Sequence, residues 1–481
     1  MREFLTTVAN ALKDKPALHS FCLSNEPTMM GANGCVNTKA LWVAYLTRTN
    51  GDIATLNARY ATSYKSFEDV PFAGNNEYEA PQYYDWITLN NERLAAWHEW
   101  AADVIHESAP SIPVHVKIMG LVHFNHMAAG WGVDPELFGK LSDINGNDDA
   151  SWPVTGTWGI DWWDQNVFYD LQRSLNRKPI FNSENHIAGD LSTDYYHPNS
   201  FREALWQGAI HGQSATTLWV WERTYDRGYP FYGSVMHRAG CAEMVGLTTL
   251  DLNRFAGEVT ALQNVKAPVA ILYSPASMAK TRAYMDDAHL AYTALNFTGV
   301  KVDFISEKQL AAGKGREYRI LVLAGAENVL PATVEALKKL SGQTRLVFLG
   351  NSLARDPYGK PYPEDEIAAI RAKALALDDK SDAQRGIWPT LMREMDRLGA
   401  NSDVRVLDAA TWQPVWGVEW LPAKVKGHTI INMVNLRYQQ PVKVRIVAHG
   451  KAVEARDLLS LGGRERASTL QPLTPVLAEV E

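Results

Sequence analysis

Between residues 1 and 265 short apolar runs alternate with helical stretches, and each run closes on polar residues. The runs are LHSFCLSNEP (18–27), VHVKIMGL (114–121), LSDINGND (141–148), KPIFNSEN (178–185) and ATTLWVWE (215–222). Helical patterns lie around 39–62, 84–109, 165–176, 199–212 and 236–264. Strand–helix alternation predicts a parallel sheet covered on both faces. Polar residues gathered at the C-terminal ends of the strands predict a (β/α)8-type barrel with its site on that face.

The texture changes near 266. APVAILYS reads as a buried strand, and VKVDFIS, YRILVLAG and TRLVFLG follow as further strands, with helices near 286–297 and 331–341 between them. They predict a doubly wound, flavodoxin-like unit over 266–403, ending in a helix-rich stretch near 363–399. It carries no G-x-G-x-x-G or Walker loop, so no nucleotide is expected. From 404 to 481 the period drops to two, as in TIINMVNL and VKVRIVAH, which predicts a small C-terminal β-sandwich. The expected division is therefore a barrel over 1–265, a doubly wound α/β domain over 266–403 and the sandwich over 404–481.

The net charge of −7 argues against a nucleic-acid partner. No apolar run reaches the roughly 18–20 residues that span a bilayer. The opening helix lacks the basic and apolar regions of a signal peptide, which favours the cytoplasm unless more sequence lies upstream. Cys22, Cys35 and Cys241 form no C-x-x-C pair and are expected as buried free thiols. The 13 histidines include no H-x-x-x-H or H-E-x-x-H pair, so no metal is expected. Of sixteen tryptophans most crowd the first half, including Trp131, Trp152, Trp158, Trp162, Trp163, Trp206, Trp219 and Trp221. Such aromatics stack on sugar rings or fill a core, and enrichment alone does not choose.

The strand ends carry the candidate chemistry. Glu26, in Ser-Asn-Glu-Pro, and Glu184, in Ser-Glu-Asn-His, each follow a buried run. Strands of one barrel converge on one cleft, so two carboxyl groups distant in sequence can face each other. Glycoside hydrolysis needs such a pair, one neutral to protonate the leaving oxygen and one ionised to attack the anomeric carbon. Either glutamate could instead be a solvated surface residue or a charge at a helix start. Asn25 is placed to hydrogen-bond a sugar 2-hydroxyl, and His186, His123 and His126 to position hydroxyls or to sit as ordinary loop histidines. Asn147 or Asp148, in NGNDD, points toward the cleft or serves turn chemistry. Trp219 and Trp221 alternate on the last strand, where one would floor the site or both would pack the core. Glu222 ends that strand and is the main rival for a catalytic role.

These residues resemble a known pattern. The Asn-Glu pair ending one strand and the Glu ending a later strand resemble the retaining glycoside hydrolases whose barrels carry acid and nucleophile after strands four and seven. More closely, the stretches LWVAYLTRTNGDIATLNARYATSYKSFEDV, DWITLNNERLAAWHEWAADVIHESAPSIPVHVKIMG and LSDINGNDD are similar to glycoside hydrolase family 42 β-galactosidases. The three-part layout is similar as well. The resemblance implies Glu26 as general acid/base beside Asn25, Glu184 as nucleophile, no cofactor, and a β-glycoside or oligosaccharide substrate. It also implies a homo-oligomer, a trimer built by the doubly wound domain. A related β-mannosidase, an agar-type oligosaccharide hydrolase and a non-catalytic carbohydrate-binding protein on a degenerate barrel are the alternatives. If Glu26 ends the fourth strand, only 25 residues precede it, so the barrel is expected to lack its first strands here, through truncation or through supply by a separate polypeptide.

Overall fold

The computed structural model describes the chain apart from residues 75, 151–161, 190–194, 223–233, 341, 343, 438, 464 and 481. Trp152 and Trp158 lie outside the described residues, as do the side chains of Trp162 and Trp163. No described helix is long and apolar enough to cross a membrane.

Five parallel strands form the first sheet: β1 (Phe21–Asn25), β2 (Val114–Met119), β3 (Asn145–Ala150), β4 (Ile180–His186) and β5 (Gln213–Leu218). Their spatial order is their chain order, the order of an arc of a (β/α) barrel. Among the described residues β1 pairs only with β2, and β5 only with β4. Register sets the two faces. Ile118, Asn147 and Asn182 lie abreast on one, and Met119, Asp148 and Glu184 on the other. Because side chains alternate along a strand, the first face meets the surrounding helices and the second faces the cleft.

The single helix expected over 39–62 is two, Thr38–Asn50 and Ile53–Tyr60. Gly51 breaks it at φ 77°, a conformation glycine adopts without steric cost. Asp52 then caps the second helix, its carboxylate accepting from the Thr55 N–H at 2.8 Å. The long helix Tyr83–Ser108 runs unbroken behind β1 and β2, with Ala102, Ile105 and Val114 packing around Ala9 of the N-terminal helix. The stretch expected as one helix over 236–264 divides into Ala239–Arg254 and Ala256–Gln263.

A second parallel sheet contains β6 (Val269–Tyr273), β7 (Val302–Ser306), β8 (Ile320–Ala324), β9 (Arg345–Leu349) and β10 (Leu375–Leu377). Its order, β10-β9-β8-β6-β7, is doubly wound and flavodoxin-like. β10 falls in the stretch expected to be helical. The remaining strands, β11 (Val404–Asp408), β12 (Val418–Val425), β13 (His428–Asn435), β14 (Val442–Ala448), β15 (Lys451–Val453), β16 (Ala455–Asp457), β17 (Thr469–Leu470) and β18 (Val476–Val480), pair antiparallel in two four-stranded sheets over one apolar core.

Buried ions tie the three regions together. Asp170, on the helix Trp162–Leu175, accepts from Tyr292 at 2.8 Å and contacts Arg173 at 3.0 Å. Arg173 reaches Asp303 of β7 at 2.8 Å. His211 bridges Asp170 at 2.7 Å and Glu419 of β12 at 2.8 Å. Burial pulls the His211 pKa down, but the two carboxylates outweigh it and carry it to about 9. Cys241 is buried as expected, whereas Cys22 and Cys35 are exposed, Cys22 because β1 is an edge strand.

Candidate active site

The C-terminal ends of β1 to β4 bring together five side chains: Glu26, Lys117, Asp148, Glu184 and His186. Glu26 follows β1 directly, and its N–H donates to the Lys117 carbonyl at 2.9 Å, which anchors the strand end. Its φ of 47° is rare for a residue with a side chain and re-aims the carboxyl as the strand ends. Asp148 of β3 is hydrogen-bonded to Glu26. Glu184 of β4 lies abreast of Asp148, and its Oε2 forms an ion pair with the Lys117 ammonium. Its other oxygen, Oε1, lies 3.3 Å from His186 Nε2, which is also 3.6 Å from Asp148 Oδ1.

Three acids therefore share a site with one lysine, and they cannot all ionise together at low cost. The carboxyl that gives way is Asp148. Burial raises its pKa most, followed by the hydrogen bond to Glu26 and the charges of Glu184 and Glu26, against a smaller pull from Lys117. The result is about 8. At neutral pH the Asp148–Glu26 pair holds one proton, and Glu184 sits against a cation. A carboxyl that keeps its proton and a second carboxyl paired with an ammonium thus stand in one cleft, an arrangement that acid-assisted displacement at an acetal carbon could use.

Asp148, Glu184 and His186 each offer an atom within 4.8 Å of the others, close enough to surround a cation. The Lys117 ammonium already stands against Glu184, and Asp148 is hydrogen-bonded to Glu26, so both carboxyls have protein partners.

Other residues singled out in the sequence lie elsewhere. Asn147 is fully buried on the helix-facing side, its amide donating to Gln172 at 2.7 Å. Strand alternation sends it there and sends Asp148 to the cleft. His123 is buried and stacks on Phe168 at 4.7 Å, and burial pulls its pKa down to about 3; it is a core residue. His126 donates from Nδ1 to the Met278 carbonyl at 2.8 Å, and its ring centroid lies 3.9 Å from that of Tyr78. Trp206 is core, donating to Asn432 at 2.7 Å. Trp219 and Trp221 do not alternate on a strand, because β5 stops at Leu218. Both are partly exposed, and Trp219 lies 6.1 Å from the His186 ring, beside the carboxyl cluster. Asn25 is exposed at the end of β1. Among the described residues no hydrogen bond or ion pair joins Glu222 to the cluster.

Lys117 was not singled out in the sequence, yet β2 carries a signal for it. A lysine within VHVKIM interrupts an otherwise buried strand, and buried lysine needs a partner.

Comparison with known proteins follows the same lines. The model of glycoside hydrolase family 42, described as β-galactosidase, matches residues 1–245. No curated protein sequence matches the chain. Among solved structures, the apo exo-carrageenase of that family from Bacteroides ovatus superposes with a TM-score of 0.83 at 21% identity, over 100% of this chain and 69% of that one. A catalytic mutant of the β-galactosidase Gan42B from G. stearothermophilus gives 0.76 at 16%, over 100% and 81%. A β-galactosidase from Halorubrum lacusprofundi gives 0.70 at 15%, over 99% and 81%.

Proposed function

The chain belongs to glycoside hydrolase family 42, and from that premise we propose that it is a retaining exo-β-glycosidase acting on terminal β-galactosides. Glu184 is the nucleophile, and Glu26, sharing its proton with Asp148, is the general acid/base. The observation that carries this reading is the convergence of three carboxyl groups, one neutral and one paired with an ammonium, at the ends of adjacent parallel strands.

In the first step a Glu184 oxygen bonds the anomeric carbon while the bond to the leaving oxygen breaks. The leaving oxygen keeps the electron pair and takes the proton held by Glu26 and Asp148. In the second, Glu26 accepts a proton from water, the water oxygen bonds the anomeric carbon, and Glu184 departs as a carboxylate. Trp219, exposed beside His186, offers a face on which the sugar's C–H surface can stack. Asn25 is the candidate partner for the 2-hydroxyl. Self-association runs through the doubly wound region, giving a trimer that sedimentation would count.

A panel of aryl β-glycosides with galactose, glucose and mannose, together with galactan oligosaccharides including carrageenan fragments, tests the substrate. Turnover should be highest on the galactoside. Glu26→Ala should retain the first step on a dinitrophenyl galactoside and regain turnover with azide, releasing the β-galactosyl azide. Lack of azide rescue would remove Glu26 from its role.

A further inference from the structure

Lys117 is out of place by composition and in place by geometry. Its side chain is 10% exposed and that of Glu184 14%, so their ion pair is largely shielded from water. Among the described residues no other lysine or arginine pairs with Glu26, Asp148 or Glu184. The groups facing Glu184 are Glu26 after β1, Lys117 of β2, Asp148 of β3 and His186 of β4, with Trp219 beyond β5 against His186. Cys22 of β1 also lies near Lys117. Counted as charges, this is three acids against one permanent cation. A shielded ammonium next to one of three acids decides which acid stays ionised.

The contact is also directional. Lys117 holds Oε2 of Glu184 and His186 approaches Oε1, so both carboxylate oxygens are engaged and its plane is fixed. A carboxylate fixed in plane attacks along one line rather than sampling many.

We propose that Lys117 is a positioning residue for hydrolysis, its ammonium aligning Glu184 and holding that carboxylate charged beside two other acids. This rests on Glu184 being the nucleophile. In the covalent intermediate Glu184 is an ester without charge, and the ammonium is left with Glu26 and Asp148 as counter-charges. That favours an ionised Glu26 at the moment it must take a proton from water.

The test is covalent trapping with a dinitrophenyl 2-deoxy-2-fluoro-β-galactoside, followed by mass spectrometry of the peptide containing Glu184 across pH 4–9. The wild-type chain should label there. Lys117→Met should label at least about 10-fold more slowly on its plateau, with the acid limb moved up by about one pH unit. Lys117→Arg should restore the limb and recover the plateau to within about threefold, since it keeps the charge and not the shape. KM for the aryl galactoside should change less than kcat. Lys117→Met labelling within about twofold of wild type at every pH overturns the proposal while leaving Glu184 as nucleophile. Absence of label in the wild type instead removes the nucleophile.

A second measurement needs no folded Lys117 variant and no turnover. Competitive acylation of Lys117 with acetic anhydride should run at least about threefold faster in Glu184→Gln than in wild type, because the ammonium has lost its partner. Equal rates overturn the proposal.

Discussion

The two parallel sheets have five strands each and opposite characters. In the doubly wound sheet β6, β7 and β8 are buried at every position, with sequences VAILY, VDFIS and ILVLA. The barrel strands read FCLSN, VHVKIM, NGNDDA, IFNSENH and QSATTL, and toward their C-terminal ends Lys117, Asp148 and Glu184 face the cleft alongside Met119. Both sheets satisfy the same backbone ladder. What differs is what the inward face meets: helices and apolar side chains in one, an open cleft in the other. A parallel strand that gives up apolar burial at its C-terminal end does so where chemistry is done, and the continuous apolar strand marks a scaffold.

The largest expected effect lies on the chemical side of this contrast. Glu184→Gln should lower kcat on an aryl β-galactoside by about 10⁴-fold or more, some 5.5 kcal/mol of barrier, while the far-ultraviolet circular dichroism stays that of the wild type. Activity within tenfold of wild type would erase the distinction between the sheets.

Leu323→Ala probes the scaffold side. Leu323 is fully buried in the middle of β8, so its truncation should cost about 2–5 kcal/mol in urea unfolding. The folded fraction should keep its kcat. A kcat loss larger than the loss of folded protein would mean that the second sheet shapes the cleft.

Asp148 connects chemistry to stability. Its carboxyl titrates near 8 in the folded chain and near the ordinary 3.8 once unfolded. Between those values the folded chain holds a proton that the unfolded chain has released. Stability from this group is therefore present below about pH 4, falls as pH rises toward 8, and is level above. Asp148→Asn cannot ionise, so against wild type it should gain at least about 1 kcal/mol of stability between pH 5 and pH 8, at about 1.4 kcal/mol per pKa unit. It should also lose turnover. A gain that shrinks with rising pH would contradict the neutral Asp148.

The smallest effect belongs to an exposed pair of helices on the barrel's surface. Arg48 and Glu92 pair at 2.5 Å with both side chains substantially exposed to water. Arg48→Ala should change unfolding free energy by less than about 0.5 kcal/mol and leave activity alone. A cost above about 1 kcal/mol would show that surface pairs carry weight here.

The same contrast explains what the sequence made legible. The second sheet announces itself because β6, β8 and β9 carry unbroken runs of four or five apolar residues and β7 a run broken by Asp303, whereas β10, three residues long between helices, is too short to leave a pattern. Glu26 and Glu184 stand out because each follows a short apolar run in the sequence, although β1 is not buried and Glu184 lies within β4. Asp148 and Asn147 are adjacent in NGNDD, and only the strand's register separates the cleft residue from the core one. Gly51 and Asp52 carried both halves of a helix break, outweighed by the apolar spacing on either side. Lys117 was hidden because a run such as VHVKIM is read by its aliphatic residues. His123 misled in the opposite sense, since a loop histidine beside a phenylalanine can be packing material. The extent of β5 was misjudged because Trp-Val-Trp looks like a continuing strand, yet the ladder ends at Leu218.

The most direct test of the central claim is proton NMR of the first-formed sugar when the chain hydrolyses an aryl β-galactoside. Two displacements, first by Glu184 and then by water activated at Glu26, require the β-anomer to appear first and the α-anomer only by later mutarotation. Initial release of the α-anomer would mean that water attacks directly and that Glu184 forms no covalent bond.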